Sequence, residues 1–180
     1  MIWLIGLIIF VVLVTIYYAN RIMILGNRVD NAWSQIDVQL KKRADLVPNL
    51  VETVKGYMKH EKEAIKAVTK ARERMMKAGS DEDRVKANNQ MTGALKTIFA
   101  LSENYPKLRA NENFMMLQEE LSAVENKIAY ARQFYNDSIL TYNNLVTTFP
   151  GSIFASILGK KKKKHLEIEA SERKAVKVDF

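Results

Sequence analysis

Apolar residues recur at Val29, Trp33, Ile36, Leu40, Val47, Leu50, Val54 and Tyr57, and Arg43 fills the one step of this 4,3,4,3 series that is not apolar. A guanidinium on an apolar helix seam needs a carboxylate partner, because an unpaired buried charge is strongly destabilising. Glu125, with Arg132, flanks a similar seam in the last long helical stretch. Arg43 lies 23 residues beyond Asn20 and Glu125 lies 24 residues before Phe149. If both stretches start at one membrane surface and run antiparallel, the two side chains stand at the same height, ~35 Å up. The spacing therefore predicts an Arg43–Glu125 ion pair that sets helix register and performs no catalysis. The competing reading turns Arg43 outward onto Asp45.

Other chemistry is sparse. His60-Glu61 lacks the second histidine of a zinc-protease helix, and no Glu-x-x-His pair suggests a di-iron bundle. His60 and His165 read as solvated side chains. Gly93 stands alone in a helical stretch, so no glycine-rich loop cradles phosphate. With no cysteine, thiolate metal sites and cysteine nucleophiles are excluded. The Glu119-Glu120 pair suits an exposed helix face, and since half of each of the pairs Met75-Met76 and Met115-Met116 falls on a seam, they read as core filling rather than a pliable binding surface. No catalytic residue, cofactor or metal site is expected. Nucleic acid is not an expected partner either, since the basic run at 160–164 has no interleaved aromatics.

The element that must position everything else is the apolar run at 2–19 (IWLIGLIIFVVLVTIYYA). Eighteen helical residues reach ~27 Å, close to a bilayer's hydrocarbon thickness. A secretory signal would show a charged n-region and a small-x-small cleavage site, and Tyr17 occupies the first small position. The run is therefore expected to be an uncleaved transmembrane anchor over 1–20, with Trp3, Tyr17 and Tyr18 as interfacial aromatics. Arg21 and Arg28 follow it closely, with Lys41, Lys42 and Arg43 further on, and no basic residue precedes it. The positive-inside rule then places the N-terminus outside and the remaining chain in the cytoplasm at the cell membrane.

Beyond the anchor, few Gly and Pro and abundant Ala, Leu, Lys, Glu, Met and Gln predict an all-α bundle over 21–149. The first helix keeps its phase through Pro48, so one helix with a kink is expected, weakening at Gly56 and 59–62. A second covers about 61–78, with Ile65, Val68 and Met75 inward, and stops at Gly79. Ser80 with Asp83 begins a third as a capping box, buried through Val85, Met91, Leu95, Ile98 and Phe99 and ended by Tyr105-Pro106. The fourth is the most regular, with Phe114, Leu117, Leu121, Val124, Ile128, Ala131, Tyr135, Ser138, Tyr142 and Leu145 in 3,4 steps. Helix lengths favour a long antiparallel up-down bundle of four helices that returns the chain toward its starting height. A continuous first helix through 78 would give three long helices and is the alternative.

The segment 150–164 is expected to touch the membrane. Ile153, Phe154, Ile157 and Leu158 form one face of a short helix, and Lys160, Lys161, Lys162, Lys163 and Lys164 follow at once. Each lysine near an anionic surface contributes about 1 kcal/mol, and the anionic leaflet is the cytoplasmic one. The alternative is that the apolar residues cap the bundle's open end and the lysines are a solvated tail. Residues 165–180 read as a mobile tail.

These blocks resemble the LemA family. The chain carries Asn27-Arg28-Val29-Asp30-Asn31-Ala32-Trp33, then Arg43-Ala44-Asp45-Leu46-Val47-Pro48-Asn49-Leu50-Val51 and Val54-Lys55-Gly56-Tyr57. Later come Leu117-Gln118-Glu119-Glu120-Leu121, Glu125-Asn126-Lys127-Ile128, Ala131-Arg132-Gln133-Phe134-Tyr135-Asn136, Phe149-Pro150 and Val178-Asp179-Phe180. The resemblance implies a single-pass membrane protein with a helical-bundle domain, and supplies no active site, since the family has no agreed catalytic residues. One departure is that Gly159 leads into lysines where the family often has a Gly-Phe pair, which makes this tail more electrostatic. The leading expectation is a non-enzymatic scaffold or adaptor at the anionic cytoplasmic leaflet, self-assembling into homo-oligomers, with a membrane-protein partner as a further candidate. The second is direct lipid binding and membrane remodelling through 152–164.

Overall fold

The structure, a computed structural model, describes residues 1–166. Its helices are α1 (Ile2–Lys55), α2 (Lys62–Lys77), α3 (Asp81–Ser102), α4 (Pro106–Arg109), α5 (Glu112–Thr147) and α6 (Gly151–Ile157). The fold is all-α, with no strand among the described residues. An N-terminal helix long and apolar enough to cross a membrane leads into a helical bundle. Most of the apolar part of α1 is uncovered by the described residues: Ile5, Phe10 and Leu13 are exposed. Lipid tails are the environment that suits such a surface. No break in α1 marks the edge of the anchor at Asn20.

Two compact units divide the described chain. One comprises Gln35–Tyr130 and the other the N-terminal Met1–Ser34 with the chain from Ala131 onward. In the first, Leu40, Val47, Leu50 and Val54 of α1, Val68 of α2, Met91, Leu95 and Ile98 of α3, and Phe114, Leu121 and Ile128 of α5 are buried. In the second, Ile22, Leu25 and Val29 of α1 pack with Ile139, Tyr142 and Val146 of α5 and Ala155 of α6.

Local chemistry explains the boundaries. Pro48 sits inside α1 and has no N–H to give the carbonyl of Ala44, four residues back. That carbonyl instead accepts from Arg72 Nε of α2 at 2.9 Å, so the helix passes its proline with the buried acceptor satisfied. Ser80 caps α3, its hydroxyl accepting from the Asp83 amide at 3.1 Å and donating to the Asp83 carboxylate at 2.7 Å. Asn111 does the same for α5, accepting from the Phe114 amide at 3.1 Å.

Several expected positions shift. Tyr57 was expected on the α1 seam and is exposed, because α1 stops at Lys55 and the turn buries Met58 instead. The Tyr57 hydroxyl accepts from Asn111 at 3.2 Å. Around Trp33 the fully buried residue is Ala32, and in late α5 the buried set is Ile139, Tyr142 and Val146, with Leu145 only half-buried. A helix of 3.6 residues per turn drifts ~20° per heptad against a strict seven-residue repeat, which accounts for both displacements. α4 was not anticipated; Pro106 begins it, as its fixed φ favours, and Leu108 is buried beneath it. The expected mobile tail lies outside the described residues from position 167 on.

Candidate functional site

Two groups of side chains carry the chemistry, one in each unit. In the first, Arg43 is 97% buried on the bundle side of α1, its side chain retaining 3% exposure against 40% for Glu125. Its Nη1 lies 2.6 Å from Glu125 Oε2, and it donates to Asn88 Oδ1 at 2.8 Å and Thr92 Oγ1 at 2.9 Å. Thr92 in turn donates to Glu125 Oε1 at 3.3 Å. One guanidinium thus joins α1, α3 and α5. Burial pushes the Arg43 pKa down, and the Glu125 carboxylate opposes that shift. The half-open carboxylate keeps some hydration, which lowers the cost of holding the charge inside. Arg84 of α3 also pairs with Asp37 of α1.

Asn88 and Thr92 were missed in the sequence. The signal was present: Asn88, Met91, Leu95 and Ile98 step by 3,4,3, so Asn88 is a polar residue on an apolar stripe, as Arg43 is. What the group can do is fix alignment. The Thr92 hydroxyl and the Glu125 carboxylate are both tied to the Arg43 guanidinium, and among the described residues no cluster of three or more His, Asp or Glu side chains could hold a metal.

The second group lies in the unit containing the anchor, where the chain after α5 turns back at once. Gly151 permits the turn: a Cβ there would collide with the carbonyl oxygen of Leu145. α6 buries Gly151 and Ala155, and Phe154 stacks on Tyr18 with ring centroids 5.0 Å apart and planes 6° from parallel. Ile153, Ile157 and Leu158 remain exposed, at 50%, 75% and 41%. Of the four apolar residues expected to face a membrane, three point outward and Phe154 packs onto the anchor helix.

The lysines divide. Gly159 takes a positive φ of 64° and releases the chain from α6, and the Lys160 amide closes the turn on the Ala155 carbonyl at 2.8 Å. Lys160, Lys161, Lys162 and Lys164 are exposed. Lys163 is turned onto the helices, with Nζ 2.7 Å from Asp30 Oδ1 and 5.7 Å from the centre of the Tyr142 ring. Its backbone is held on both sides by the Asn143 side chain.

The sequence pattern of the LemA family matches residues 32–180. Protein LemA of Metamycoplasma hominis is 24% identical over 131 residues, covering 72% of this chain and 60% of that protein. The magnetosome protein MamQ of Magnetospirillum gryphiswaldense is 25% identical over 155 residues, covering 72% of this chain and 57% of that protein. The magnetosome protein MamQ 2 of Paramagnetospirillum magneticum is 28% identical over 81 residues, 45% of this chain and 30% of that one. The chain thus spans at most three fifths of the length of these relatives.

Proposed function

This chain belongs to the LemA family, and from that premise we propose a non-catalytic helical scaffold or adaptor held to a membrane at two places. Family membership supports the coarser part, a membrane-associated helical protein of a non-catalytic kind. The observation that carries the finer part is the Tyr18–Phe154 stack. Tyr18 ends the apolar run, at the level where interfacial aromatics sit. A ring stacked on it brings α6 to that level, with Ile153 and Ile157 outward, so α6 lies in the interface as the second attachment.

In this reading the N-terminus is outside, the bundle is cytoplasmic, and the first basic residues after the anchor and after α6 meet the anionic leaflet. Copies anchored at the same end stand side by side and assemble. Since the chain has no cysteine, single cysteines report topology cleanly. Ile2→Cys should react with an impermeant maleimide from outside, and Asp137→Cys only after the cytoplasmic face is opened; the reverse pattern would overturn the orientation. The scaffold role is tested by extracting the full chain in native membrane discs and weighing the particles. Species larger than one chain support it, and single chains alone contradict it.

A second reading, lipid remodelling through 152–164, draws on the exposure of Ile153, Ile157 and Leu158. Deleting 152–164 and measuring liposome clustering against anionic-lipid content separates the two. Remodelling lost on deletion favours the second reading, and its absence in both forms leaves the scaffold.

A further inference from the structure

Resting on the placement of α6 at the membrane interface, we propose that residues 160–166 form a docked strap that divides the lysine run. Lys160 and Lys161 read anionic phospholipid headgroups, while Lys163 and Lys164 are carried out of their reach. The strap is built by two asparagines of α5. Asn143 donates to the Lys163 carbonyl at 2.9 Å and accepts from the Lys163 amide at 2.8 Å. Asn136 donates to the Leu166 carbonyl at 3.3 Å and accepts from the Leu166 amide at 3.0 Å. Seven helical residues between the asparagines rise about 10.5 Å, and three residues of extended chain cover about 10 Å. The registers match, so both clamps close on one extended segment. Asp30 and the Tyr142 ring then take the Lys163 ammonium across to α1.

The direction of the strap decides its electrostatics. α5 runs from Asn136 through Asn143 toward α6, so a strap passing from α6 to Asn143 and then Asn136 runs back, away from Tyr18. Asp30 lies twelve residues beyond Tyr18 on one continuous helix, which is about 18 Å along its axis. The headgroup layer is only about 5–7 Å deep, and exposed charges are screened over about 8 Å at physiological salt. Lys163, held at Asp30, is therefore beyond effective reach, and Lys164 further still. Lys160 starts at Ala155, which packs with Ile22 and Leu25, within the first two turns after Tyr18. A free polybasic tail would weigh all its lysines alike; a strap makes the first ones count. Asn136, Asn143 and Asp30 are then positioning residues for a lipid site they do not touch.

The test uses the full chain reconstituted in phosphatidylcholine bilayers containing phosphatidylglycerol, with spin-labelled versions of each lipid reporting the preference for the anionic one. K160Q/K161Q and K163Q/K164Q remove the same charge. The strap predicts that the first pair lowers the preference roughly five- to thirtyfold, as one to two lysines' worth of surface attraction would, and that the second leaves it unchanged. N136A/N143A keeps every lysine but frees the segment, and in that background the two pairs should weigh equally. Equal effects in the unaltered background would overturn the strap while leaving membrane contact intact. No effect of either pair in any background would overturn the membrane reading itself. Circular dichroism of each variant checks that the helices persist.

Discussion

Replacing Arg72 with methionine removes the donor that stands in for the missing amide of Pro48 while keeping the apolar stem of the side chain. Ala44 is fully buried, so its carbonyl loses its only replacement for the intrahelical bond. A hydrogen bond from a charged donor contributes about 1.5–3 kcal/mol, and leaving a buried acceptor open costs about 1–3 kcal/mol. Arg72 is itself only partly buried, which places the expected loss near the lower end, about 1.5 kcal/mol. For a helical domain of this size that is roughly 5–8 °C in Tm. The decisive comparison is the same change in a Pro48→Ala background. There the alanine amide can reach the Ala44 carbonyl, so Arg72→Met should cost less than about 0.5 kcal/mol. The assay is thermal and urea unfolding of the full chain in detergent micelles, followed by helix signal, for the two single variants and the double. An equal cost of Arg72→Met in both backgrounds would refute the account, because Arg72 would then act through something other than the proline's missing bond.

Glu125→Gln leaves the Arg43 guanidinium buried without its counter-charge, and should cost about 2–3 kcal/mol by urea unfolding, below the full-burial figure because the carboxylate is half-open. An Arg43→Met/Glu125→Gln cycle should show coupling of more than about 1 kcal/mol; additive losses would mean the pair is incidental. Gly151→Ala forces a methyl into the Leu145 carbonyl, so α6 should detach or the turn should shift at a cost of about 1–3 kcal/mol, read as faster proteolysis within 150–166. The Tyr18→Leu and Phe154→Leu variants should couple by about 0.5–1.5 kcal/mol if their stack persists in the bilayer, measured as a double-mutant cycle on that same cleavage rate. Asp37→Asn should shift stability by less than about 1 kcal/mol and less again in high salt, because both partners of the Arg84 pair are substantially exposed.

Much of the fold was legible because the apolar stripes of α1 and α5 are long and keep one phase. The same periodicity made Arg43 conspicuous, and counting residues forward from Asn20 and back from Phe149 put Glu125 opposite it. What the strict repeat could not supply was the drift of a straight helix, hence Ala32 in place of Trp33 and Val146 in place of Leu145, or the end of α1 at Lys55, which buries Met58 in place of Tyr57. The missed polar partners share a different cause. Asn88, Asn136 and Asn143 each lie on a helix face, and their roles depend on which remote chain segment arrives there. The lysine run illustrates the limit: composition made five equivalent charges of it, whereas Asp30 and Asn143 single out Lys163 through contacts more than 100 and 20 residues apart in sequence.

The claim on which the account rests is that α6 lies in the membrane interface beside the anchor. Spin labels on Ile157→Cys and Asp137→Cys in the reconstituted full chain test it most directly, by comparing collisions with lipid-dissolved oxygen against those with a water-soluble nickel complex. The account predicts that the label at 157 meets oxygen and is shielded from nickel, while the label at 137 shows the opposite. Equal and full nickel access at both positions would contradict it.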